Sequence, residues 1–242
     1  MHLLTIFLIF YACTWVVQIS APHASPAASP DNPQTEIEHV SFATADGGLI
    51  YADVYGSGDR GVVLAHGGRF TKESWKPQAE KLAGAGFHVL AFDFRGFGQS
   101  HGSGDSDMFT APMHLDVLAA VRHLRKNGAK TVAVIGGSFG GSAAADASIA
   151  SQPGEINRLI LLAAEGNGPA EKIKVPLLEI VARDDANDEG PRLPHIRAWF
   201  DKAPQPKELM VLDGSAHAQF LFQTDQADRV MKEILRFLSA RD

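Results

Sequence analysis

The segment Thr131-Val132-Ala133-Val134-Ile135-Gly136-Gly137-Ser138-Phe139-Gly140-Gly141-Ser142 decides the fold of this chain. It begins as a run of aliphatic, strand-forming residues and continues, through several glycines, into an alanine-rich stretch with helical composition. Gly-x-Ser-x-Gly therefore lies where a predicted strand meets a predicted helix. A serine on such a sharp turn has its hydroxyl exposed at the helix N-terminus, where the helix dipole favours developing negative charge. We predict that Ser138 is a nucleophile.

Other functions are possible for a glycine-rich turn of this kind. It could bind phosphate, or it could only allow close packing of strand and helix. A dinucleotide site is disfavoured, because the glycines do not follow the G-x-G-x-x-G spacing and this is not the first strand-to-helix turn of the chain.

Short aliphatic runs alternate with helical patterns from about residue 36 onward. Strands are predicted over 38–44, 49–55, 62–66, 88–92, 131–136, 158–163, 177–181 and 207–212, and helices over 72–85, 111–127, 139–151, 193–203 and 226–239. This alternation predicts an α/β fold: a mostly parallel sheet of about eight strands with helices on both faces. Asp46-Gly47-Gly48 joins the first two strands directly, which predicts an antiparallel hairpin at one edge.

Length and composition exclude several classes of protein. The 242 residues fit one catalytic domain, predicted over 36–242. A formal net charge of −6 argues against nucleic-acid binding, which requires a basic face. The single cysteine, Cys13, lies in the N-terminal apolar run, so the domain has no disulfide, cysteine-based metal site or thiol nucleophile.

The N-terminus resembles a targeting segment. Residues 1–20 are almost continuously apolar and predict a signal peptide or a membrane anchor, while 21–35 are rich in Ala, Ser and Pro and predict a linker. Tyr11-Ala12-Cys13 also leaves a lipoprotein open. Each of these interpretations places the domain outside the cytoplasm, either secreted or periplasmic, or anchored to the membrane through this segment alone.

Two further motifs follow predicted strands. Leu64-Ala65-His66-Gly67-Gly68 follows the third, and Asp93-Phe94-Arg95-Gly96-Phe97-Gly98-Gln99-Ser100 follows the fourth. Together with the serine turn they resemble the α/β-hydrolase family, in particular its uncapped esterase-like and dienelactone-hydrolase-like members, over almost all of 36–242. The resemblance implies the α/β-hydrolase fold. Because only 165–176 separate the sixth and seventh strands, no inserted cap domain is expected.

The resemblance also implies an oxyanion hole and its supports. One N–H donor is that of Phe139, after the nucleophile, and the other is that of Gly68, with Arg69 as the neighbouring alternative. His66 resembles the family's structural histidine, which braces this loop. Arg95 is expected to be a structural partner within its own loop.

The family's catalytic triad runs in the order Ser, acid, His. His217 is the histidine that follows the last predicted strand, and a loop at that edge of the sheet is where catalytic groups gather. In the loop after the seventh strand Asp185 matches the family's acid, and Asp184 and Asp188 remain alternatives. The family's usual glycine is replaced there by Ala182.

These residues predict a serine hydrolase that cleaves a carboxylic ester, or a related acyl bond, through an acyl-enzyme intermediate. The substrate is expected to be a small acyl compound, and no cofactor or metal is implied. Without a cap, substrate selection is expected to depend on the loops 69–75, 97–109 and 166–173. The alternative is a binding protein that keeps the fold without catalysis.

Overall fold

A computed structural model describes residues 37–104, 107 and 110–240. Ten strands are found in these residues: β1 Ile37–Ala43, β2 Leu49–Tyr55, β3 Arg60–Ala65, β4 His88–Phe92, β5 Thr131–Gly137, β6 Arg158–Leu162, β7 Leu177–Ala182, β8 Ala186–Asn187, β9 Gly190–Pro191 and β10 Lys207–Leu212. The predicted targeting segment at 1–20 and linker at 21–35 lie outside the described residues and stay predictions.

Eight of the strands form one sheet, in the order β1-β2-β4-β3-β5-β6-β7-β10. Strands β1 and β2 pair antiparallel, β2 and β4 also pair antiparallel, and every other pair in the sheet is parallel. The predicted edge hairpin and the predicted mostly parallel sheet of eight strands are therefore confirmed. Strands β8 and β9 form a separate two-stranded hairpin.

Five α-helices accompany the sheet in the described residues: α1 Lys76–Gly84, α2 His114–Lys126, α3 Phe139–Ala150, α4 Arg192–Phe200 and α5 Ala227–Ser239. Short 3-10 turns cover Lys72–Trp75, Ala170–Lys172 and Ala218–Gln223. The predicted helix over 72–85 thus begins as a 3-10 turn, and Pro77 then stands in the first turn of α1, where proline's missing N–H is not needed.

The sheet is covered on both faces, as the sequence predicted. One apolar cluster joins the sheet to α2 and α3, and the other joins it to α1 and α5. The central strands are buried along almost their whole length, as their unbroken aliphatic sequences require in a parallel sheet with two covered faces. This arrangement holds the carboxyl ends of β3, β5, β6 and β7 side by side at one edge.

The connection from β6 to β7 is an ordinary loop. Residues 163–176 contain only the 3-10 turn Ala170–Lys172, so no cap domain is inserted there. Within the described part of the chain, no helix combines the length and apolar character that a membrane span requires.

Arg95 holds the loop after β4 by contacts that reach beyond that loop. Its guanidinium is almost fully buried and hydrogen-bonds both to Asp116 of α2 and to Asp46 of the hairpin turn, with N···O distances of 2.6–3.1 Å. The prediction that Arg95 acts as a structural partner holds, but its expected confinement to its own loop was wrong. The buried carboxylate on α2 and the turn carboxylate together compensate its charge.

Candidate active site

Ser138 stands on the turn between β5 and α3 in an unusual backbone conformation. Its φ is 51° and its ψ is −123°, a region that a non-glycine residue adopts only under constraint. Its N–H donates to the carbonyl oxygen of Leu162 at 2.9 Å, and its own carbonyl accepts the N–H of Ser142 at 3.0 Å. The neighbouring strand and the first turn of the helix thus hold the serine in place.

The glycines around Ser138 are required by close backbone contacts. A Cβ at Gly136 would collide with the backbone of Gly140, and a Cβ at Gly140 would collide with the carbonyls of Ala65 and His66. At Gly141 a Cβ would overlap the methyl group of Ala164. The small residues therefore allow α3 to approach the ends of β3 and β6, which is what makes the turn sharp.

Replacing Gly140 by alanine is expected to lower the free energy of unfolding by about 1–3 kcal/mol, because rigid carbonyls occupy the space that the new methyl group needs. Thermal unfolding of the purified variant measures this. Gly84→Ala is the matched control: Gly84 lies at the end of α1 with open space around its Cβ position, so that variant should unfold at or slightly above the wild-type temperature. Equal destabilisation by both variants would contradict the close-packing argument.

His217 and Asp185 complete a hydrogen-bonded chain that starts at Ser138. His217 Nε2 lies 2.7 Å from Ser138 Oγ, and His217 Nδ1 lies 2.7 Å from Asp185 Oδ2. Asp185 is 1 % exposed, whereas Asp184 and Asp188 are exposed to solvent. Of the three carboxylates that the sequence left open, the structure brings only Asp185 to the histidine.

This arrangement assigns the protons. A carboxylate can only accept, so the Nδ1–H of His217 donates to Asp185, and Nε2 is left with a free lone pair towards Ser138. Nε2 can therefore accept the serine proton. His217 remains about one-quarter exposed, at 26 % of its side chain, so the serine and the imidazole are both accessible from solvent.

The turn after β3 lies against the serine turn. A Cβ built on Gly67 would stand 3.3 Å from the carbonyl oxygen of Gly137, and the Gly67 N–H donates to Gln219 Oε1 at 2.6 Å. Within the described residues, the N–H groups of Gly68 and Phe139 make no backbone or side-chain hydrogen bond, so both remain available to a ligand. The alternative donor, Arg69, is exposed.

His66 is buried behind this turn. Its Nδ1–H donates to the carbonyl oxygen of Gly67 at 2.9 Å, and its Nε2 accepts the N–H of Phe94 at 3.2 Å. Burial lowers the pKa of His66 to about 4, so the imidazole is neutral near pH 7, as these two bonds require. The geometry agrees with the structural role that the family resemblance implies, since His66 connects the turns after β3 and β4.

Strained backbone is concentrated at this site. In the described chain the non-glycine residues with positive φ are Ser138, Ala163 and Ala218, all near +50°. They follow β5, β6 and His217 respectively, at the edge where the strands meet. Such conformations persist only where the surroundings enforce them, and they cluster at functional sites.

A cavity of about 250 Å³ opens beside Ser138. The residues that line it come from the serine turn, the loop after β6, the hairpin β8–β9 and the start of α4: Ser138, Phe139, Ser142, 163–167, Asn187, 189–192, His195 and Ile196. Of the three loops expected to select substrate, 166–173 contributes Gly166 and Asn167 to this cavity, whereas 69–75 and the described residues of 97–109 do not line it. No metal-binding group of His, Cys, Asp or Glu side chains occurs in the described ranges.

Two contributors were not found from the sequence. Gln219, two residues after His217, holds the turn after β3 and also donates through Nε2 to Ser74 Oγ at 2.6 Å. Arg192 begins α4, where its N–H donates to the Asp185 carbonyl at 2.8 Å and its Nε lies 3.5 Å from Asp185 Oδ1. The position of Gln219 beside the predicted base was a usable signal, whereas nothing local marks Arg192.

The fold and the site together define a class of protein, which the similarity of this sequence to a known family identifies. The sequence profile of the α/β-hydrolase fold matches residues 61–223, more than half of the chain. The chain therefore belongs to the α/β-hydrolase family, and the predicted fold and resemblance are confirmed.

Two curated relatives are similar to part of this chain. A non-heme haloperoxidase of Rhodococcus erythropolis is 34% identical over 130 residues, covering 52% of this chain and 44% of the relative. A putative non-heme chloroperoxidase of Synechocystis is 38% identical over 85 residues, covering 34% of this chain and 29% of the relative. The matched part of the chain thus spans less than half the length of these two curated relatives.

Solved structures show the same fold. An esterase of Pyrococcus furiosus superposes with a TM-score of 0.68 at 22% identity, covering 90% of this chain and 97% of the esterase. A dienelactone hydrolase of Anabaena variabilis superposes with a TM-score of 0.66 at 20% identity, covering 84% and 96% of the two chains. At such identities the likeness concerns the fold alone.

Proposed function

We propose that this protein is a serine hydrolase that cleaves a carboxylic ester of a small acyl compound through an acyl-enzyme intermediate. The observation that carries the proposal is the continuous chain from Ser138 through His217 to the buried Asp185, with both hydrogen bonds at 2.7 Å. This is the geometry by which a nucleophile, its base and the group that orients the base are recognised.

In the acylation step Ser138 Oγ attacks the ester carbonyl carbon while its proton moves to His217 Nε2. Asp185 stabilises the resulting imidazolium through the Nδ1–H bond. The carbonyl oxygen becomes an oxyanion, and we assign the N–H groups of Gly68 and Phe139 to it, each worth about 3–4 kcal/mol in the transition state.

Collapse of this intermediate breaks the bond to the alcohol oxygen, which leaves with the proton from His217. In the second half of the reaction His217 takes a proton from water, the hydroxide attacks the acyl-serine, and the carboxylic acid is released as Ser138 recovers its proton. Every proton in this cycle passes through Nε2, so the neutral imidazole with its Nδ1–H tautomer is the resting state that the mechanism needs.

The names of the relatives leave two activities to separate. The solved neighbours include enzymes named as esterase and dienelactone hydrolase, while the two curated sequence relatives are named as haloperoxidases. The cavity of about 250 Å³ opens directly beside Ser138, so a bound ester could present its carbonyl carbon to the Oγ that is hydrogen-bonded to His217, and this supports the ester hypothesis.

The proposal is tested with the purified chain, a fluorophosphonate probe and p-nitrophenyl esters. Rapid covalent labelling, together with hydrolysis of a short p-nitrophenyl ester, is the expected result. A parallel assay for halogenation with halide and hydrogen peroxide examines the competing activity. Absence of both labelling and ester hydrolysis in folded protein would exclude the proposal and would favour a binding protein that only keeps the fold.

A further inference from the structure

Glu179 is a buried acidic residue that the mechanism above does not use. It lies in the middle of β7, paired with Leu161 of β6 on one side and Leu209 of β10 on the other, and it is 0 % exposed. Its Oε1 accepts the N–H of Ala164 at 3.3 Å, and its Oε2 has no hydrogen-bond partner. Burying such a group inside an apolar sheet is unfavourable, so the presence of Glu179 at this position requires an explanation. Its hydrogen bond to Ala164 offers one.

The acceptor at Glu179 holds a strained corner of the chain. Ala163 and Ala164 directly follow β6, and Ala163 has a φ of 50°. The Ala163 N–H is bonded to the Ile180 carbonyl at 2.9 Å, so the residue after Glu179 on β7 holds the first half of the corner while Glu179 itself holds the second half. Because positive φ is unfavourable for alanine, the corner needs both bonds to persist.

The same corner touches the catalytic serine from two directions. Leu162, just before it, accepts the Ser138 N–H at 2.9 Å. The Ala164 methyl group fills the space where Gly141, in the first turn of α3, lacks a side chain. Ala163 and Ala164 also line the cavity that opens beside Ser138. Any shift of this corner would therefore move a cavity wall and loosen the turn that carries the nucleophile.

We propose that Glu179 is a positioning residue for the ester hydrolysis proposed above: by accepting the Ala164 N–H, it fixes the wall of the acyl cavity against Ser138. The inference depends on that proposed function for its activity readout. The hydrogen bond from the Ala164 N–H to Glu179 is a feature of the geometry and does not depend on the proposed activity.

The charge state of Glu179 suits this role. Burial raises the pKa of Glu179 well above its usual range, the charge of Glu165 raises it further, and the N–H groups of Ala164 and Ala163 oppose the shift only in part. The protonated form is favoured, and a neutral acid still offers its carbonyl oxygen to the Ala164 N–H. An amide oxygen at the same position should serve equally well.

The test compares Glu179→Gln with Glu179→Met. Glutamine keeps an acceptor of the same reach, so E179Q is expected to retain kcat/KM for a short p-nitrophenyl ester within about two-fold. Methionine has similar volume but no acceptor oxygen, so E179M is expected to lose roughly 10- to 100-fold in kcat/KM, the size of effect that misplacing a reacting group by up to about 1 Å can have. Removing the buried carboxyl is favourable, whereas leaving the Ala164 N–H unpaired is unfavourable, so the two effects on stability oppose each other and the Tm of E179M should stay close to that of the wild type.

If Glu179 only stabilised the fold, the loss of kcat/KM in each variant would follow its loss of Tm. A positioning role instead predicts a loss of kcat/KM without a matching loss of Tm. Full activity in folded E179M, or a ten-fold loss in folded E179Q, would overturn the proposal. E179L replaces E179M if that variant does not fold. Hydrogen exchange at the Ala164 amide, slow in wild type and E179Q and fast in E179M or E179L, examines the bond without any substrate. If wild-type protein neither labels nor hydrolyses esters, the proposed function fails while this exchange pattern still tests the role of Glu179.

The pH dependence of stability gives a separate measurement. In the unfolded chain Glu179 loses its proton near pH 4.5, whereas in the folded protein it keeps the proton to a higher pH. Its contribution to stability is therefore complete below the unfolded pKa and is lost as pH rises towards the folded pKa. The difference in Tm between E179Q and wild type should grow from pH 4 to pH 7, and a difference independent of pH would contradict it.

Discussion

Replacing Ser138 by alanine is expected to lower kcat for a p-nitrophenyl ester by about 10⁴- to 10⁶-fold, because acylation has no other nucleophile at this position. The Oγ atom is the one that lies 2.7 Å from His217 Nε2. Its removal leaves the cavity, the oxyanion donors and the base in place, so any residual turnover comes from water attack in a preorganised site. Fluorophosphonate labelling should disappear in the same variant.

The matched control is Ser142→Ala. Ser142 lines the same cavity one helical turn along α3, but its hydroxyl lies 3.5 Å from the carbonyl oxygen of Ser138 and contacts no imidazole. S142A should keep labelling and most of the activity. Labelling that persists in S138A but is lost in S142A would transfer the nucleophile to Ser142 and remove the proposed mechanism.

The sequence was most informative where local geometry restricts residue type. Gly136, Gly140 and Gly141 are needed because strand, helix and the neighbouring turns approach too closely for a Cβ, so the serine turn could be predicted with its position in the fold. The family's order of serine, acid and histidine, together with the position after the last predicted strand, then pointed to His217 as the base. The acid was harder, because Asp184, Asp185 and Asp188 share one loop and differ only in which side chain points inward.

The parts that could not be predicted depend on contacts between distant segments. Gln219 meets Gly67 across 152 positions of sequence, and Arg95 reaches Asp46 across 49. Glu179 is the one charged residue of an otherwise aliphatic strand, and only the three-dimensional structure shows that its oxygen reaches the chain beyond β6. Hydrophobic periodicity reports which face of an element is buried, but it carries no information on which polar groups meet there.

Asp185→Asn is the second variant with a large expected effect, a fall in kcat of about 10⁴-fold. Asparagine keeps the size of the side chain but can present an NH₂ group to His217, which then favours the tautomer with the proton on Nε2 and leaves no lone pair for Ser138. The imidazolium would also lose its carboxylate partner in the buried site, where Asp185 is 1 % exposed.

Asp184→Asn changes the same chemical group one residue earlier, on an exposed side chain, and should keep wild-type kcat. Stopped-flow measurement of acylation for both variants separates this effect from slow deacylation. If D184N abolished acylation while D185N did not, the acid would be Asp184 and the hydrogen bond of His217 to Asp185 would have no catalytic role.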